Sequence, residues 1–159
     1  MGADIYYNSP KFLEKDMLFE KWARIPNSSE AKKEEAHLLW KKAYNEFDES
    51  GDYFRDSYNS SSLLNIIGLS WWRDVIPMLD EEGQLPIIHA MRLWKMIEKS
   101  PIVRETIKAR MEEVSFGEKE ELSDKELDEW YDYFVEKKAT FMKMLDRSIE
   151  NNNPLLCSL

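Results

Sequence analysis

Residues 123–149 read SDKELDEWYDYFVEKKATFMKMLDRSI, and this stretch decides the fold. Ser123 followed three positions later by Glu126 forms a capping box, in which each side chain accepts a hydrogen bond from the backbone amide of the other residue. Leu127, Trp130, Phe134, Phe141, Leu145 and Ile149 then trace one apolar stripe at helical spacing. The pattern predicts a long amphipathic helix that stops before Pro154.

Working toward the N-terminus, the same signals recur. Ser100-Pro101 pairs a capping hydroxyl with a proline suited to a first helical turn, predicting a helix to about Glu113. Pro86 is read as opening another, with Ile87, Ala90, Met91, Trp94 and Ile97 on one face. Leu63, Leu64, Ile66, Ile67 and Leu69 are apolar nearly all round, as in a short buried helix. Glu30 to Asp48 is rich in good helix formers, with Ala36, Trp40, Ala43 and Phe47 on one side. Ser9-Pro10 starts a helix to about Arg24. Ile5, Tyr6 and Tyr7 favour extended backbone, so residues 1–8 are read as a short N-terminal strand or arm. The fold class expected is therefore mainly α: one helical domain, 1–159, of about six helices with a flexible tail at 150–159.

Composition agrees with a folded chain. Of 159 residues 43% are hydrophobic and 13% aromatic, too many for disorder, and the length supports a core without disulfides or metals. The net charge of −9 opposes attraction to DNA, RNA or anionic membranes. No apolar run approaches bilayer length, and no basic, then apolar, leader opens the chain. A lone cysteine, Cys157, fits a reducing compartment and is read as incidental in a mobile tail. The N-x-S matches at Asn27 and Asn59 are read as chance.

Gly51 to Ser62 interrupts the helical pattern with Gly, Asp, Asn and Ser, and is expected to form a polar loop. It carries Tyr53, Phe54, Arg55, Asp56, Tyr58 and Asn59, which together offer ring faces, a cation, a carboxylate and an amide. Such a set can stack on a planar base while Arg55 grips a phosphate or carboxylate. The structural reading of the same residues pairs Arg55 with Asp56 or Asp52, anchors Tyr53 and Phe54 in the core and lets Asn59 cap the next helix. Trp71, Trp72 and Arg73, followed by Asp74, form a second cluster. Adjacent helical residues point about 100° apart, so one indole is expected in the core and the other, with Arg73, beside the loop.

Catalytic chemistry has little footing. His37 and His89 stand apart from any second ligand at metal-motif spacing, and the glycine-rich phosphate, dinucleotide, hydrolase and zinc-protease motifs are missing from the sequence. The carboxylate pairs Glu81-Glu82, Glu112-Glu113 and Glu120-Glu121 read as solvated faces. No catalytic residue, metal or cofactor is assigned.

Met1-Gly-Ala-Asp-Ile-Tyr6, Tyr53-Phe-Arg-Asp-Ser-Tyr-Asn59 and Gly68-Leu-Ser-Trp-Trp-Arg-Asp-Val75 resemble segments of small uncharacterised proteins encoded by bacteriophages and related bacterial elements. The resemblance covers the N-terminal tip and the middle of the chain. It carries no established activity, and implies action against host defence in the cytoplasm of an infected bacterium. The expected function is a non-catalytic binding protein that sequesters a small nucleotide-derived signal. In it Tyr53, Tyr58 and Trp71 or Trp72 would stack on bases, Arg55 and Arg73 hold phosphates, and Asp56 and Asn59 read polar edges. Two alternatives stand beside it: an acidic inhibitor of a host defence protein or nuclease, and a nucleotide-processing enzyme with Asp56 or Asp74 as base. Direct binding of genomic nucleic acid and of membrane is not expected, and homo-oligomerisation is open.

Overall fold

A computed structural model describes residues 2–114 and 121–158, the last three residues of the first segment by their backbone alone, so the expectations about Glu112, Glu113 and Glu120 lie outside the described residues. The chain is mostly helical, but a four-stranded antiparallel sheet accompanies the helices. In chain order the elements are β1 (Gly2–Tyr7), α1 (Pro10–Ala23), α2 (Glu30–Asp48), β2 (Tyr53–Ser57), α3 (Leu63–Ile66), β3 (Gln84–Leu85), α4 (Ile87–Glu98), α5 (Arg104–Val114), α6 (Asp124–Glu150) and β4 (Leu155–Ser158). A π-helical turn, Trp71–Val75, and a short 3-10 turn, Ile76–Met78, link α3 to β3. None of the described helices is long and apolar enough to cross a membrane.

Local chemistry explains where the helices start. Ser9 caps α1, with Pro10 in the first turn, and Ser123 and Glu126 form the expected capping box of α6. Two starts differ from expectation. Pro86 precedes α4 as an extended residue instead of lying within it. Ser100 opens no helix: its hydroxyl donates to the carbonyl of Met96, and α5 begins only at Arg104. On α4 the buried residues are Ala90, Leu93 and Ile97, while Met91 is exposed.

The sheet overturns two further expectations. The presumed polar loop contains β2, which pairs with β1 from Tyr6–Tyr53 to Gly2–Ser57. The presumed flexible tail contains β4, which pairs with both β1 and β3, giving the order β2-β1-β4-β3. Each strand follows a helix through a residue at positive φ, Gly51 (74°) after α2 and Asn152 (48°) after α6. A left-handed residue there reverses the chain at low steric cost for Gly and a tolerable one for Asn. Ser148 secures the second reversal, donating to the carbonyl of Asn153 and accepting its amide through its own carbonyl.

One face of the sheet is apolar. Ala3, Ile5 and Tyr7 of β1, Phe54, Leu85 and Leu155 join α3, Trp71, Val75, Leu93, Ile97, Ile107, Phe134, Phe141, Met144 and Leu145 in a single buried cluster. Alternation in β1 and β2 puts the intervening residues, Asp4, Tyr6, Tyr53 and Arg55, on the opposite face. The base of the α1–α2 hairpin covers part of that face, where Phe12 and Phe47 meet Tyr6 and Tyr53 with centroids 5.4–6.2 Å apart.

Candidate functional site

The nine residues singled out from the sequence do not form one site. Phe54 stacks on Phe141 at 4.4 Å and 8°, inside the core. Trp71 is likewise buried, and its indole N–H donates to Asp56 at 2.9 Å. Trp72 lies 63% exposed, packed on Tyr58 at 5.4 Å, so one indole is core and the other surface, as adjacency on a turn requires. Arg73 is held on the surface by Asp74 and by the carbonyl of Gly68. The hydrogen bond from Arg73 holds the Asp74 carboxyl below its ordinary range; burial opposes it, and the Ser70 amide adds a smaller lowering.

Asp56 explains why the polar segment carries a carboxylate at all. It is 2% exposed and accepts from the amides of Leu63 (3.0 Å) and Leu64 (3.3 Å), from Trp71 Nε1, and from Lys137 Nζ (2.8 Å). Those amides are free donors of the first turn of α3, so the carboxylate satisfies a helix end, an indole and an ammonium together. It is a structural hub, and the anticipated reader of a ligand edge or catalytic base is spent within the protein. Asn59 accepts from Ser57 and Ser61, and its carbonyl from Asn65, while Ser62 supplies the cap of α3. Tyr58 has a buried hydroxyl with no hydrogen-bond partner among the described residues, and burial raises its pKa.

Arg55 and Tyr53 stay near open space. Tyr53 donates to Asp4 at 2.6 Å, and burial followed by that bond raises its pKa. Arg55 lies 3.6 Å from the same carboxylate, with 63% of its side chain exposed. Between β2 and α6 runs a groove made of two adjoining hollows. The larger, ≈ 470 Å³, is lined by Gly2, Arg55, Ser57, Trp130, Tyr133 and Lys137, with Met111 and Phe134 at its apolar end. The second, ≈ 360 Å³, continues along β2 past Tyr53 and Phe54, with Tyr133, Glu136, Lys137 and Thr140 on the α6 side. Arg55, Tyr133 and Lys137 line both. Tyr58, Asn59, Trp71, Trp72 and Arg73 line neither.

The wall contributed by α6 was missed from the sequence. Trp130 belongs to the apolar stripe, stacking on Phe134, and also reaches the groove. Tyr133 carried a signal: an aromatic residue off the stripe, and it is 47% exposed. Lys137 was unremarkable in sequence because its partner Asp56 is 81 residues away.

The main chain of β2 forms the groove's other wall. The Tyr7 amide donates to the Asp52 carbonyl at 2.8 Å, which places Phe54 and Asp56 as the residues that bond to β1. In an antiparallel ladder the alternate residues, Tyr53, Arg55 and Ser57, then direct N–H and C=O toward the far edge. Among the described residues no strand pairs with that edge.

Cys157 is a residue of β4, not of a mobile tail, and burial, with a smaller contribution from Asp80, pushes its thiol up to about 12. A thiol so shifted is not a nucleophile at neutral pH. Among the described residues no cluster of His, Cys, Asp and Glu is arranged to hold a metal ion. No protein-family model, curated protein or solved structure matches the chain.

Proposed function

We propose that the chain is a non-catalytic binding protein that holds a segment of a partner protein in the groove between β2 and α6. The observation that carries this reading is the groove itself, an open channel along a sheet edge, with ring faces at Trp130 and Tyr133 and polar groups at Arg55, Lys137 and Glu136. Aromatic and arginine side chains with a polar rim suit a protein interface. The enzymatic reading loses support because Asp56 and Asp74, the two carboxylates it assigns as bases, are engaged by internal donors. In the context implied by the phage resemblance, the partner is a host defence protein and binding inhibits it. The test compares recovery of partners from bacterial lysate by the wild type and by Tyr133→Glu. A stoichiometric partner lost with the variant is expected; equal recovery by both overturns the groove as the site.

A second reading, sequestration of a nucleotide-derived ligand, draws on the cations of Arg55 and Lys137 beside the same ring faces. Thermal shift with cyclic oligonucleotides and ADP-ribose derivatives distinguishes it. Stabilisation that Tyr133→Ala abolishes favours the small ligand over the protein segment.

A further inference from the structure

We infer, resting on the groove reading above, that the partner segment binds as an extended strand added to the free edge of β2, with an apolar residue and a basic residue on its α6-facing side. Three observations converge. The edge offers a periodic set of main-chain donors and acceptors at Tyr53, Arg55 and Ser57, and only another extended backbone matches that period. The groove follows β2 from Tyr53 to Ser57, about 17 Å for five residues, so it accommodates a strand and not merely a side chain. Its α6 wall is graded: Trp130 and Phe134, beside Met111 of α5, are apolar at one end, Glu136 with Thr140 is polar at the other, and Lys137 between them has its charge met by Asp56.

The grading sets the partner's chemistry. Side chains at every second residue of an added strand face α6, about 7 Å apart. Positions 130 and 136 are separated by about 9 Å along the helix. An apolar residue seated against Trp130 therefore places the residue two positions away roughly level with Glu136, which lies about 120° further round the helix on the other side of Tyr133, and a lysine or arginine has the reach to pair with it. Glu129 lies one helical turn before Tyr133 on the same rim of α6, paired only loosely with Lys125 at 3.8 Å, and reinforces the preference for a basic segment. A second copy of this chain is a poor occupant, because each copy carries a net charge of −9.

The experiment selects binders for the full chain from a random linear peptide library. Peptides with an apolar and a basic residue two positions apart are expected. N-methylation of a selected peptide at alternate residues, those whose amides face β2, is expected to weaken binding at least roughly tenfold, while methylation at the intervening residues leaves it unchanged. Arg55→Pro, which removes an outward amide without removing a bond to β1, is expected to act likewise. In Glu136→Lys the preference for the basic residue is expected to reverse to an acidic one. Peptides weakened by Tyr133→Ala but indifferent to the position of N-methylation overturn strand addition and leave the groove reading standing. Peptides unaffected by Tyr133→Ala overturn the groove reading itself.

Discussion

The α1–α2 hairpin and the body built on α6 are made of comparable helices but held together by different forces. In the body, α6 buries Phe134, Phe141, Met144, Leu145 and Ser148, and its neighbours contribute to the same cluster. In the hairpin, α1 buries no residue and α2 buries only Ala36, Ala43 and Phe47. A half-exposed stack of Trp22, His37 and Trp40, with Trp22 and Trp40 5.5 Å apart at 8°, zips the two helices together. Leu13, Met17, Leu38 and Leu39 remain exposed on it. Lys and Arg balance Asp and Glu one for one over residues 10–48, so the net charge of −9 resides in the rest of the chain. The difference shows that helix formation and burial are separable. The hairpin's helices rest on composition and caps, and those of the body on a shared core.

Two devices fasten the hairpin to the body. The Lys15 ammonium lies 4.9–5.7 Å from the ring centroids of Tyr6, Phe12 and Phe47, joining both helices of the hairpin to β1. At the hairpin's two ends Asp52 accepts from Ser9 Oγ and from Arg147 Nη1, each at 2.6 Å, so one buried carboxylate ties the start of α1 and the end of α2 to α6.

The comparison breaks most severely at the body's polar hub. Asp56→Ala leaves the Leu63 and Leu64 amides, the Trp71 indole and the Lys137 ammonium without their acceptor. Removing one partner of a buried pair costs about 3–5 kcal/mol. Urea unfolding is expected to show a loss of that size. A loss below about 1 kcal/mol, within the range of an ordinary hydrogen bond, would mean that the hub does not organise the body.

A smaller effect is expected at the clamp. Burial opposes ionisation of Asp52, but hydrogen bonds from Ser9, Arg147 and Ser50 outweigh it and hold the carboxyl below its ordinary 3.8. Its folded-state pKa being depressed, its contribution is complete above pH 3.8 and lost as pH falls through the folded value. Asp52→Asn is expected to cost about 1–3 kcal/mol at neutral pH. The wild type and the variant should converge in acid, read by unfolding at a series of pH values. Hydrogen exchange should speed in α1 of the variant and not between Phe134 and Leu145, because the hairpin opens without the body. Equal acceleration in both would show one cooperative unit.

Within the hairpin, Trp22→Ala removes the centre of the aromatic stack at a half-buried site. About 1–2 kcal/mol is expected, less than for a fully buried tryptophan because part of the ring is already in water. Circular dichroism in urea checks it. A loss as large as at Asp56 would place the hairpin on the same footing as the body.

The sequence made the helices legible and the sheet illegible for one physical reason. Caps and apolar stripes are local, and Ser9-Pro10, Glu30 to Asp48 and Ser123 to Glu126 each announce a helix within a few residues. A strand is defined by its partner, and β2 finds its partner 47 or more residues earlier in β1, while β4 pairs with β1 from the far end of the chain. In β2 the inward positions are Phe54 and Asp56, so the buried carboxylate erases the alternation of apolar and polar residues that signals a strand. The same carboxylate made the segment read as a ligand loop. Of the nine expected site residues only Tyr53, Phe54, Arg55 and Asp56 border the groove, and the α6 wall opposite was hidden because Tyr133 and Lys137 acquire meaning only when β2 lies beside them.

The smallest effect is expected at Trp72, and it bears on whether surface aromatics in the body behave like those of the hairpin. Trp72 is 63% exposed and touches Tyr58, while its neighbour Trp71 is buried and bonded to Asp56. Trp72→Ala therefore removes little burial and no hydrogen bond, and its stability cost is expected to stay within about 0.5 kcal/mol. Partner binding in the groove should be unchanged too, since Trp72 lines neither hollow. Parallel denaturation and binding measurements decide it. A normal stability with lost binding would move the functional surface from the β2 edge to the Tyr58–Trp72 side of the molecule, and the groove would then be a by-product of packing α6 beneath an edge strand.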